Sequence, residues 1–192
     1  FNLEHVVLPT IPYIDGGVSI SRTARVFPTY LIFKPAMFIT AFFLIKYWRF
    51  NSGLMGKISP YLNYKKFFLF FGIGSAIFLV LHSIFLGIKF DNNFYKLFRR
   101  VLVLAFIIFE IIAQTILVIN FFKIKEQMKQ FINSRILYFK IILVSILVVV
   151  AFVSIPFLAA EGYNSFKHAL EWNYFVGVIS FYLLTFFFWK KQ

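Results

Sequence analysis

LYFKIILVSILVVVAFVSIPFLA, residues 137–159, contains a single charged side chain, Lys140, and decides the class of fold. A bilayer core about 30 Å thick needs roughly 20 apolar residues of helix, because each residue rises about 1.5 Å. Four further stretches share this character and length, at about 30–48, 67–88, 101–122 and 172–189. The sequence therefore predicts an all-α, polytopic membrane bundle with five transmembrane helices.

The composition favours the same class and excludes several others. Hydrophobic residues make up 61% of the chain, against about 45–50% in soluble domains. The net charge is +13, yet Lys and Arg lie between the apolar stretches, which is typical of membrane flanks and does not indicate nucleic-acid binding. The absence of cysteine excludes disulfides and thiolate metal sites, and three histidines exclude a histidine cluster. No cofactor and no metal are predicted.

The chain shows no repeat and no linker, so residues 1–192 are predicted to form a single integral membrane domain. Short connections predict that sequential helices are antiparallel neighbours. Twelve Lys and Arg flank one side of the predicted spans and seven the other. The positive-inside rule then places the C-terminus on the cytoplasmic or equivalent side. This orientation predicts that residues 1–28 form an extracytoplasmic segment.

The most polar part of the chain is PYIDGGVSISRTAR, residues 12–25. Its hydroxyls and arginines, above all Ser19, Ser21, Arg22 and Arg25, are the groups that a phosphate-bearing lipid headgroup needs. The alternative is an ordinary loop whose cations meet anionic lipid nonspecifically. We regard these four residues as candidates for headgroup binding.

Three polar residues inside the apolar spans are candidates for a buried site. Glu110 is near the middle of the third span, with Gln114 one turn further along the same face. His82 in the second span lies at a similar predicted depth, so a contact with Glu110 is geometrically feasible. A carboxyl in hydrocarbon indicates either a proton-handling or ligand site, or an interhelical hydrogen bond that sets packing.

His168 and Glu171 stand at the predicted entry to the fifth span. Residues three apart share one face of a helix, and such a pair is half of a metal site. The alternative is helix capping or interfacial anchoring, because a carboxylate is favourable at a helix N-terminus. Without further ligands nearby, we expect no metal here.

Two stretches resemble the DRAM-like family of six-pass membrane proteins, which includes the damage-regulated autophagy modulators and relatives that remodel GPI-anchor lipids. The first is Pro12-Tyr13-Ile14-Asp15-Gly16-Gly17, with Ser19-Ile20-Ser21 and Pro28 following. The second is His168-Ala169-Leu170-Glu171-Trp172, continuing to Leu183-Leu184-Thr185-Phe186. The resemblance implies that the five spans correspond to helices two to six, with a first helix before Phe1, and a lipid-linked role without an assigned catalytic residue.

Three functions compete at this stage. The leading one is a non-catalytic multi-pass membrane protein that binds or organises lipids at its extracytoplasmic face. The alternatives are an accessory subunit of a larger membrane complex and a lipid-modifying enzyme that uses Glu110, His82 or His168. The expected partners are membrane lipids and, in the second case, other membrane subunits. A bacterial inner membrane and a eukaryotic endomembrane or organelle membrane both fit the composition.

Overall fold

The computed structural model describes residues 9–58, 65–86 and 93–190. Within these ranges the chain forms two short helices and five long ones. The helices are α1 Pro12–Asp15, α2 Ile20–Thr23, α3 Thr29–Ile58, α4 Lys65–Phe85, α5 Asn93–Lys123, α6 Ser134–Ala159 and α7 Asn164–Phe188. The described part of the chain is therefore all-α, as the sequence predicts.

The five long helices are apolar enough to cross a membrane. Their outward faces agree with this, because Phe152, Val153 and Phe186 are 69%, 63% and 78% exposed. A soluble bundle would place polar side chains on such faces. The predicted fold class is confirmed, and the chain is a multi-pass helical membrane protein.

Several helix ends lie outside the predicted spans. α3 continues to Ile58, so part of the predicted connection at 49–66 is helical. α7 begins at Asn164, so most of the predicted connection at 160–171 is helical as well. The reason is that hydropathy detects the part of a helix inside the hydrocarbon, about 30 Å, whereas the 30 residues of α3 extend about 45 Å.

Some predicted features lie outside the described residues. These are residues 1–8 of the N-terminal segment, the last two residues of the chain, and parts of the predicted connections at 49–66 and 89–100.

Each long helix packs against the next one in sequence, from α3 to α7. Glycines on α4 allow close approach: a Cβ added at Gly72 would lie 2.3 Å from the Trp48 indole, and one at Gly74 would lie 2.6 Å from the Phe109 ring. Small residues of α4 thus let neighbouring helices approach closely.

The two ends of the bundle differ in construction. The N-terminal segment (residues 9–28), the start of α5 and the α6–α7 connection form one end, here named the Arg25 end. At the opposite end, named the Lys190 end, the Asn133 amide donates to the Phe188 carbonyl at 2.8 Å. The Lys190 amide donates to the Phe131 carbonyl at 2.9 Å. These bonds tie the α5–α6 connection to the end of α7.

Candidate functional site

The N-terminal segment is fastened to α7 by side chains of that helix. The contacts are Trp172 Nε1 to the Val18 carbonyl at 2.9 Å, Asn173 Nδ2 to the Tyr13 carbonyl at 2.8 Å, and His168 Nδ1 with the Gly16 carbonyl at 3.1 Å. The two stretches that carry the family resemblance are therefore in direct contact.

Gly16 and Asp15 shape the segment for this contact. Gly16 has φ +63°, and a Cβ there would lie 1.7 Å from the Ser165 carbonyl oxygen. The Asp15 carboxylate accepts hydrogen bonds from the Thr10 hydroxyl, from the Gly17 amide at 3.0 Å, and from the Ile11 amide. These bonds, the one from Thr10 first, lower the pKa of Asp15. The turn around Gly16 is thus a defined structure rather than an ordinary polar loop.

Arg22, Arg25 and Arg99 form a positively charged group at this end, here named the arginine cluster. Partial desolvation, followed by the like charges of Arg99 and Arg22, lowers the pKa of Arg25. Glu171 is near enough to act electrostatically on Arg25. Within the described ranges, however, the one ion pair within 4.0 Å lies at the Lys190 end. Among the described residues, the arginine cluster therefore forms no ion pair within 4.0 Å.

The two serine candidates are engaged inside the segment. Ser19 caps α2, since its Oγ accepts the Arg22 amide at 3.2 Å. The hydroxyls of Ser19 and Ser21 lie 3.3 Å apart. The Ser21 carbonyl accepts a 2.8 Å hydrogen bond from Arg25 Nε. The serines thus build and orient the segment that presents the arginines.

The structure gives Glu171 and His168 separate contacts. Because α7 begins at Asn164, Glu171 lies two turns inside the helix, and its interpretation as the N-terminal cap of α7 is wrong. Its carboxyl faces the backbone amides of Ser21 and Ile20. Across the described ranges, no three His, Cys, Asp or Glu side chains are grouped for a metal ion.

An apolar groove of about 750 Å³ lies between α3 and α7. Its lining includes Phe33 and Leu44 of α3, Leu79 of α4, Phe106 of α5, and Phe175 and Val178 of α7. Two further lining residues, Phe43 and Leu183, are 60% and 62% exposed, so the groove opens sideways toward the surrounding membrane. The Tyr47 and Tyr182 rings, with centroids 5.1 Å apart, join α3 to α7 toward the Lys190 end.

The mouth of the groove adjoins the arginine cluster. Ile20, His82 and Glu171 line this part of the groove. His82 is 8% exposed, and its Nδ1 has no hydrogen-bond partner in the described part of the chain. The charges of Arg99 and Arg25 act on His82. Apolar and cationic surfaces therefore meet at one place.

Glu110 belongs to a polar network beside the groove. It is fully buried and accepts hydrogen bonds from Ser75 at 2.6 Å, Gln114 at 3.1 Å and Tyr182. Ser75 precedes His82 by two helical turns, about 10 Å. Glu110 therefore pairs with Ser75, and the contact with His82 is not formed. The predicted depths of Glu110 and His82 were counted from the wrong helix end, because α5 begins at Asn93, eight residues before its predicted start.

Lys140 is the polar residue whose environment the sequence did not reveal. Its position near the end of a predicted span suggested a cytoplasmic charge, yet it is 2% exposed. Its Nζ donates to Thr185 Oγ1 at 2.6 Å and lies 4.0 Å from the centroid of the Phe181 ring. The signal that could have indicated its burial is its position, since Lys140 is the seventh residue of α6.

No family model, curated protein or solved structure matches the chain. The arginine cluster and the adjoining groove are therefore the basis for assigning a function.

Proposed function

We propose that the protein binds a membrane lipid with an anionic headgroup at the Arg25 end of the bundle. One observation carries this proposal: Arg25 and Arg99 lie within electrostatic reach of His82 and Glu171, which line an apolar groove that opens toward the membrane. Guanidinium groups form charge-assisted hydrogen bonds with phosphate oxygens. A lipid is the class of ligand that presents a phosphate directly beside hydrocarbon.

The membrane sidedness and the family assignment are parts of this proposal. The excess of Lys and Arg at the Lys190 end supports an extracytoplasmic position for the Arg25 end. The family assignment rests on the sequence resemblance of the stretches around Gly16 and His168 to the DRAM-like family.

The environment of Glu110 supports binding rather than catalysis. Its carboxyl is fully buried, and three side chains donate hydrogen bonds to it. A general acid or base must reach its substrate within hydrogen-bond distance. We therefore assign Glu110 to helix packing and the arginine cluster to ligand binding.

The test compares headgroup affinity in two charge-matched variants. Arg22→Gln with Arg25→Gln removes two cations at the Arg25 end, whereas Arg49→Gln with Lys57→Gln removes two exposed cations elsewhere on the bundle. Each arginine near an anionic lipid contributes about 1 kcal/mol, so we expect roughly thirtyfold weaker binding for the first variant alone. The measurement is the Kd for short-chain phosphatidic acid in detergent, with phosphatidylcholine as the neutral reference.

Equal affinities of wild type and the Arg22, Arg25 variant would refute the proposal. An equal loss in the Arg49, Lys57 variant would also refute it, because the effect would then report net charge and not a site.

A further inference from the structure

We infer that the groove between α3 and α7 holds one acyl chain of a phospholipid from the leaflet at the Arg25 end. This inference rests on the proposed headgroup site and adds a second, separate site for the acyl chain of the lipid. The phosphate of the lipid would lie at the arginine cluster, and the chain would enter sideways between the two helices.

The length of the groove suits a lipid acyl chain. Its lining runs on α7 from Glu171 to Leu183 and on α3 from Phe33 to Phe50, distances of about 18 Å and about 26 Å at the helical rise. Half of a hydrocarbon core about 30 Å thick is about 15 Å. On α3 the lining ends at Phe50, one turn beyond Tyr47, whose ring meets Tyr182. The groove therefore spans at least the depth of one leaflet, and an acyl chain that enters from the Arg25 end fits along it.

The volume of the groove favours a lipid chain over a partner helix. A helix of 20 residues is about 30 Å long and at least about 10 Å wide, which corresponds to roughly 2,400 Å³. The groove holds about 750 Å³, within the range of about 300–1,000 Å³ typical of small-molecule sites.

The polar groups at the mouth match the region where a phospholipid changes from phosphate to hydrocarbon. His82 lines the groove there and is 8% exposed, and its Nδ1 has no hydrogen-bond partner among the described residues. A buried polar atom without a partner costs free energy, so a ligand oxygen that meets it is favoured. A phosphate or ester carbonyl oxygen supplies that partner. The Glu171 carboxyl is already directed at the Ile20 and Ser21 amides.

Two tryptophan substitutions on neighbouring residues of α3 test the chain site. Thr40 is exposed and lines the groove, so Thr40→Trp places an indole in the space that the acyl chain would occupy. Ile39 is 56% exposed and lies outside the groove, so Ile39→Trp adds the same side chain to the membrane-facing surface. Native mass spectrometry of the protein purified from phosphatidylglycerol-containing membranes should show one retained phospholipid for wild type and Ile39→Trp. The Thr40→Trp variant should lose it.

A photoreactive phosphatidic acid locates the chain directly. With the diazirine at the end of the acyl chain, labelling should fall on residues near Tyr47 and Tyr182. With the diazirine next to the ester, it should fall near His82. Reversed or groove-independent labelling would overturn the inference, as would equal lipid retention in Thr40→Trp and Ile39→Trp.

The failure of this inference is distinguishable from failure of the headgroup proposal. If Thr40→Trp retains lipid while the Arg22, Arg25 variant loses it, the headgroup site stands and the chain lies outside the groove. If Thr40→Trp loses lipid while the arginine variant retains it, the groove stands without the headgroup site. Crosslinks from a photoreactive residue at position 40 to a copurifying polypeptide would show a partner helix in the groove and refute the inference.

Discussion

Ser75 on α4 donates a 2.6 Å hydrogen bond to the Glu110 carboxyl on α5. Tyr182 on α7 donates to the same carboxyl, and so does Gln114 on the next turn of α5. One acidic side chain thus connects three helices whose remaining contacts are largely apolar. Glu110 is therefore a structural junction of the bundle.

Replacement of Glu110 should destabilise the bundle. Glu110→Leu leaves buried donors on three side chains without their acceptor, and we expect a loss of about 2 kcal/mol of unfolding free energy. Glu110→Gln retains the size and one acceptor oxygen and should lose less than half as much. Unfolding by steric trapping in bicelles measures both values. Equal stability of Glu110→Leu and wild type would show that the network does not hold the helices together.

The sequence predicted the bundle because hydropathy and helix length are local properties. The apolar stretch at 137–159 alone requires a membrane, and short connections make neighbours of sequential helices. Glu110 was also identifiable, because a carboxyl in hydrocarbon must have partners. Its actual partners were not, since the pairing with Ser75 instead of His82 depends on the relative shift of α4 and α5.

The groove was beyond prediction for a similar reason. It exists because α3 and α7, distant in sequence, lie apart over most of their length and approach at Tyr47 and Tyr182. The arginine cluster was half predicted: Arg22 and Arg25 stand out in a polar segment, whereas Arg99 joins them only once α5 has been placed. The position of Arg99 beside Arg22 and Arg25 depends on how the helices pack, which hydropathy does not encode.

Lys140 should be dispensable for stability, although it is buried. Its ammonium donates to Thr185 and lies over the Phe181 ring, contacts of about 1 and 2 kcal/mol. Desolvation of an ammonium costs several kcal/mol, so a well-packed apolar replacement is neutral or stabilising. We expect Lys140→Met to retain the wild-type Tm in detergent. Lys140→Ala should lower the Tm, because truncation leaves a cavity. Equal losses in the two variants would show that the charge itself is required.

The fit of Gly16 against α7 should control the order of the N-terminal segment. Gly16 and Gly162 both have positive φ, 63° and 86°, so alanine costs about 1 kcal/mol of backbone strain at either position. Only at Gly16 does the added Cβ meet another part of the chain, the Ser165 carbonyl. Gly16→Ala should therefore expose the tryptic sites at Arg22 and Arg25 to faster cleavage than Gly162→Ala does. Identical cleavage rates would mean that the segment is not held by this contact.

The turn that contains Asp15 should lose its order in acid. Hydrogen bonds from Thr10, Gly17 and Ile11 favour the carboxylate and lower the pKa of Asp15 below its usual value of 3.8. The stabilisation is therefore fully present above pH 3.8 and disappears as the pH falls through the lowered value. The carboxyl carbon shift of isotopically labelled aspartate follows this titration, and Asp15→Asn identifies the signal, since the chain contains one other aspartate, Asp91. A midpoint at or above 3.8 would contradict the hydrogen-bonded turn. A lowered midpoint that returns to the usual value in Thr10→Val would assign the effect to the Thr10 hydroxyl, the largest cause of the shift.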